Sequence, residues 1–138
     1  MHEIIGHESV VYLINKGDKI AEVIGYNKIQ ENIIIPRSIN YKSTEYVVKS
    51  ILSAFENSNI NTVIFASDSE VQTIEKKAYY RYSIRNIKIP SQVKKIGESC
   101  FSYCKQLKSV EFSDDSQLQT IEKEAFYRST ITSIKIPS

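Results

Sequence analysis

Few residues of this chain have the types and spacing to do chemistry. Cys100 and Cys104 form a Cys-x-x-x-Cys pair. Two thiols alone could cycle through a disulfide, but a zinc site needs a second pair of ligands. His2 and His7 stand near the start, far in sequence from either cysteine. That start is expected to be a mobile segment that binds no metal. Carboxylates recur in two polar stretches, Asp68 with Glu70 and Asp114 with Asp115. Oxygen donors repeated along one edge could hold Ca²⁺. They lack the dense D-x-D-x-D-G pattern, and neighbouring pairs would sit about 10 Å apart, so solvated turns are the plainer reading. No Gly-rich phosphate loop, G-x-S-x-G or H-E-x-x-H occurs. The expectation is a protein with no cofactor, no metal and no catalytic residues.

The elements that carry these residues repeat. Ile60 to Ser83 reads INTVIFASDSEVQTIEKKAYYRYS, and Leu107 to Thr130 reads LKSVEFSDDSQLQTIEKEAFYRST. About half the positions are identical, the sequence mark of a repeat architecture. A degenerate copy, Ile84 to Gln106, lies between them, and another begins at Ile131 and stops at Ser138. The repeat explains the cysteines. Cys100 occupies the position of Ala54, Ala78 and Ala125, and Cys104 that of Ser58, Tyr82 and Ser129. A buried cysteine behaves as a small hydrophobe, so packing is favoured over redox chemistry.

Within one copy, Ile87 and Ile89 flank Lys88 with strand periodicity, and Pro90 ends the strand because it has no N–H. Val93 and Ile96 turn inward, Gly97 permits a turn, and Cys100-Phe101 begins a short helical or 3₁₀ wall. The same inward set recurs as Ile60, Val63, Phe65, Val71, Ile74, Ala78 and Tyr79. It recurs again as Leu107, Val110, Phe112, Leu118, Ile121, Ala125 and Phe126. An incomplete earlier copy supplies Ile33, Ile35, Pro36, Val48, Ile51, Ala54 and Phe55. The spacing predicts a solenoid with parallel strands along one side, short second strands and helical turns. Val63, Ile87 and Val110 should lie side by side. No coil can bury its own apolar face, so stability must come from neighbours.

Residues 1–138 then form a single repeat domain, with a cap over about 1–32 and repeats over about 33–138, the last one truncated. Val10 to Ile14 and Ile20 to Ile24 are apolar runs around a polar Asn15-Lys-Gly-Asp-Lys19 loop. They predict a β-hairpin from about Ser9 to Tyr26 that covers the first coil. Asn40 to Tyr46 is expected as an enlarged polar turn.

Composition narrows the function. The 41% hydrophobic and 25% charged content is that of a globular domain, and the net charge of +2 is too small to argue for nucleic acid or an anionic membrane. No apolar run is long enough to span a bilayer, and the start does not read as a secretory signal. No N-x-S/T sequon occurs.

The run I-x-I-P-x-x-V-x-x-I-G-x-x-x-F-x-x-C from Ile87 to Cys104 resembles the BspA-like leucine-rich repeat. The likeness extends from about Ile33 to Ser138. Tyr79 stands where that pattern has Phe, Tyr82 and Ser129 where it has Cys, and Ala66 and Ser113 where it has Pro. The resemblance implies a cell-surface or secreted adhesion protein that binds protein or glycan, in extracellular matrix or on a host cell. A structural or self-associating scaffold is the alternative.

Two surfaces follow from stacking. The concave sheet would present Ile34, Ile64, Lys88, Glu111 and Lys135 in one column, with Asn32, Thr62, Asn86, Ser109 and Ser133 beside it. Of these, Ile34, Ile64, Asn86, Lys88, Glu111 and Lys135 are the candidate ligand-binding residues; weak cross-strand charge pairing is the bland alternative. The coil wall would present Arg81, Tyr103 and Arg128 as a partner-binding ladder, or as long side chains that only cover the turns beneath.

Overall fold

The computed structural model describes residues 1–27, 32–56, 62–132 and 134. In chain order the strands are β1 (His2–His7), β2 (Val10–Asn15), β3 (Ile20–Tyr26), β4 (Asn32–Ile35), β5 (Ser38–Tyr41) and β6 (Thr44–Ile51). They continue with β7 (Thr62–Phe65), β8 (Thr73–Ile74), β9 (Asn86–Ile89), β10 (Lys95–Ile96), β11 (Ser109–Phe112) and β12 (Thr120–Ile121). The architecture is the expected solenoid. Ile60, Ser133, Lys135 and most of the last copy lie outside the described residues.

Strand periodicity builds the concave side. In β4 and β9 the residues alternate exposed and buried, which places Ile33, Ile35, Ile87 and Ile89 inward. β4 pairs in parallel with β7, and β9 with β11. On the next side of the coil the Ser50-Ile51 end of β6 and the short strands β8, β10 and β12 form a second parallel ladder. The cap joins that ladder directly, because β3 runs parallel to β6. One continuous sheet therefore ties the non-repeating start to the repeats.

The cap is larger than a hairpin. β1, β2 and β3 form an antiparallel meander, so the stretch holding His2 and His7 is an ordered edge strand rather than a mobile segment. Asn40 to Tyr46 is likewise not a simple turn: β5 and β6 are an antiparallel hairpin closed at Lys42-Ser43.

The wall contains no helix among the described residues. It is a stack of turns whose N–H groups alternate in direction. Ala78, Tyr80 and Tyr82 donate within their own coil, to Glu75, Lys77 and Tyr79. Lys77, Tyr79 and Arg81 donate to the next coil, at Glu98, Cys100 and Ser102. Such a wall propagates the solenoid without needing helix length.

Inside, aromatic rings stack from coil to coil. Tyr26 meets Phe55 at 5.8 Å, Phe55 meets Tyr79 at 5.4 Å, Tyr79 meets Phe101 at 5.2 Å and Phe101 meets Phe126 at 5.3 Å. Around them Val71, Ile74, Ile84, Ile87, Val93, Ile96 and Leu107 are buried. Each such side chain contributes about 1.5–3 kcal/mol. Cys100 and Cys104 are free thiols in this core. The Cys104 thiol donates to the Tyr79 carbonyl at 3.1 Å, so packing accounts for both.

Candidate recognition surfaces

The concave column is present, but its sheet is parted. Ile34 stands directly opposite Ile64, and Lys88 directly opposite Glu111. Val110 lies beside Ile87 as expected. Val63 pairs with Ile33 instead, because β7 and β9 are neighbours that share no ladder among the described residues. The flanking polar column breaks at the same place. The Thr62 hydroxyl donates to Asn32 Oδ1 at 2.6 Å, and the Ser109 hydroxyl donates to Asn86 Oδ1 at 2.7 Å. Among the described residues, no bond joins Thr62 to Asn86.

Proline marks the parted side. At the end of the β4–β7 ladder, the Ala66 N–H donates to the Ile35 carbonyl at 2.9 Å. The same repeat position one coil later is Pro90, which has no N–H to offer the Phe65 carbonyl. Turn length also alternates along this edge. Ala66–Glu70 and Ser113–Gln117 are long turns of one shape, each closed by a backbone N–H that donates to a serine hydroxyl oxygen, Val71 to Ser69 and Leu118 to Ser116, both at 3.2 Å. The turn between them, Pro90–Gln92, is shorter.

A cleft of about 490 Å³ opens at this seam. Ile64, Asn86, Lys88 and Glu111 line it, together with Ala66, Ser67, Pro90, Ser91, Ser113 and Asp115. Four of the six concave residues expected from the sequence thus share one cavity. Ile34 lies outside its lining but extends its apolar end, and Ile34 and Ile64 are 66% and 57% exposed. Among the described residues, neither Lys88 nor Glu111 forms an ion pair. The buried Ser113 hydroxyl has no partner among the described residues. Sequence reasoning missed Pro90, Ser91 and Ser113; the alternation of turn lengths was the signal that could have found them.

The acidic turns hold no metal-binding constellation among the described residues. Glu70 is engaged by Lys49 at 2.9 Å and by Arg37. The hydrogen bond from Lys49, followed by the contribution of Arg37, holds its carboxyl below the usual carboxylate range.

On the wall, Arg81 meets Tyr103, while Arg128 rests by Tyr127. The Arg81 guanidinium lies 5.3 Å from the Tyr103 ring centre and 5.4 Å from that of Tyr80. Arg128 lies 5.3 Å from the Tyr127 ring and donates from Nε to its hydroxyl at 3.0 Å.

A family model described as the BspA type leucine-rich repeat region matches residues 26–138 in 6 copies. The chain belongs to that family. None of the curated proteins compared matches it. Among solved structures, this BspA-type chain is similar to a leucine-rich repeat protein from Bacteroides ovatus, with 29% identity, a TM-score of 0.82, and coverage of 96% of this chain and 35% of that one. The pneumococcal vaccine antigen PcpA shares the fold at 19% identity and a TM-score of 0.69, with coverage of 96% and 49%. A leucine-rich repeat protein from Bacteroides capillosus does so at 16% identity and a TM-score of 0.55, with coverage of 95% and 96%. The chain spans about half the length of PcpA and about a third of the Bacteroides ovatus protein.

Proposed function

We propose that this is a non-enzymatic recognition module of a cell-surface repeat protein, and that the cleft at the β7–β9 seam receives a protein ligand. The observation that carries the reading is the parted sheet. A solenoid whose sheet is closed offers a flat, solvated face, whereas this one opens a cavity at the point where exposed isoleucines give way to the charged pair Lys88 and Glu111. Two adjacent exposed isoleucines favour apolar side chains of a protein over a sugar. Lys88 and Glu111 would fix orientation more than affinity.

The test is a binding screen of the chain against extracellular-matrix proteins, followed by Ile64→Asp and Lys88→Glu. Both side chains are exposed, so the fold should survive. Expected is loss of binding by about tenfold or more for each variant at unchanged melting temperature. A matrix protein bound equally well by both variants would sink the concave reading.

The alternative, self-association, is favoured by one feature. β1 is the outer strand of its sheet, and Ile4 on it is 66% exposed. An unprotected edge can pair with a second copy. Light scattering that stays monomeric across concentration would remove this reading.

A further inference from the structure

The wall carries a second surface, independent of the concave cleft. Tyr80, Tyr103 and Tyr127 climb it edge to face, at 5.6 Å and then 5.8 Å between ring centres. Four cations are held against these rings. Lys77 lies 4.9 Å from the Tyr80 ring centre, Arg81 is shared between Tyr80 and Tyr103, Lys105 is 5.6 Å from Tyr103, and Arg128 rests by Tyr127. None of the four has a carboxylate partner among the described residues. The ion pairs among the described residues are made elsewhere, by Lys16, Arg37, Lys49 and Lys95.

The rings therefore hold positive charge in place without cancelling it. A guanidinium fixed in this way pays little entropy to grip an oxyanion through two N–H groups. The charges also recur at coil steps, which suits a linear polymer with repeated anionic groups.

We propose that this wall binds a sulfated polysaccharide, with sulfate groups on Arg81 and Arg128 and additional charge contacts from Lys77 and Lys105. An acidic peptide is less suited to it. The N–H groups of residues 77–82 and 99–104 are all spent in turns and coil-to-coil bonds, so no strand can be added here. The cleft that could seat peptide side chains opens on the concave sheet, lined by residues of β7, β9 and β11 and the turns after them.

The experiment measures binding of the full chain to dextran sulfate, neutral dextran and poly-glutamate at low and moderate salt. Expected is binding to dextran sulfate that weakens with salt, no binding to neutral dextran, and weaker binding to poly-glutamate. Arg81→Gln with Arg128→Gln should weaken dextran sulfate binding by about tenfold or more. Lys42→Gln with Lys94→Gln, the same charge change elsewhere, should change it by less than about twofold. If the arginine pair unfolds the chain, Lys77→Gln with Lys105→Gln takes its place. Equal losses in wall and control variants, equal affinity for poly-glutamate, or no binding to dextran sulfate would each overturn the proposal.

Discussion

A Cβ added to Gly97 would lie 2.5 Å from the Glu75 carbonyl carbon and 2.5 Å from the Lys76 nitrogen. Gly97 does not have a positive φ. Its role is close approach between coils, not the freedom to turn that its place in the sequence suggested. The Gly97 N–H donates to the Ile74 carbonyl at 2.7 Å, which locks the approach. The equivalent positions in the flanking copies are Glu75 and Glu122, so the tight step is particular to this junction.

Gly97→Ala must force the two backbones apart. Overpacking of this kind costs about 1–3 kcal/mol. Urea melts should show a lower midpoint with an unchanged slope. An unaltered midpoint would mean the coils can slide, and the backbone contact would lose its significance.

Tyr79 is stacked between Phe55 and Phe101 and fully buried, yet its hydroxyl has no partner among the described residues, and neither has that of Tyr82. The same repeat position is Phe55, Phe101 and Phe126 in the other copies, so the ring stack itself does not require oxygen. An unpaired buried hydroxyl costs about 1–3 kcal/mol. Tyr79→Phe is therefore expected to stabilise the protein by about 1 kcal/mol, read as a rise in melting temperature. A fall would reveal a bonded hydroxyl.

The inward residues were legible because identity and period reinforced one another across copies. Val63, Ile74, Ile87, Val93, Ile96 and Val110 are all buried where the repeat put them. The seam was not legible, since a period describes what coils share, and the break lies at one junction, where β7 and β9 share no ladder among the described residues. The extra cap strand and the β5–β6 hairpin were hidden for a different reason. Their two-residue turns, Glu8-Ser9 and Lys42-Ser43, have φ values of 45° and 72°, and of 49° and 65°. Such left-handed turns announce themselves through Asn-Gly or Asp-Gly, and neither pair has it.

That mismatch is itself testable. Lys42 with Ser43, and Glu8 with Ser9, occupy a region that costs a side-chain-bearing residue about 1–2 kcal/mol. Lys42→Asn with Ser43→Gly should relieve part of the strain and stabilise the chain by about 0.5–1 kcal/mol, after the entropy glycine adds to the unfolded state. Chemical denaturation of the double variant checks it. A lower midpoint would show that Lys42, which lies 5.3 Å from the Tyr41 ring centre, contributes more than the turn costs.

Alkali should unfold this core. Burial pushes the Cys104 thiol up from 9.0 to about 11 and raises the Cys100 thiol well above its ordinary value. Burial likewise raises the phenols of Tyr12, Tyr79 and Tyr82. Each group is neutral in both states below its ordinary value, where the stability of the fold is complete. Above it the unfolded chain releases protons that the folded chain retains, so stability falls as pH rises. The loss begins near pH 9 with the thiols and continues above pH 10 with the phenols. Cys104 alone accounts for about 2–3 kcal/mol of it. Urea midpoints measured at pH 8 and pH 10.5 should drop steeply, and Cys104→Ala should flatten the pH 9 to 10.5 portion. A midpoint that does not move over this range would place these thiols in contact with solvent.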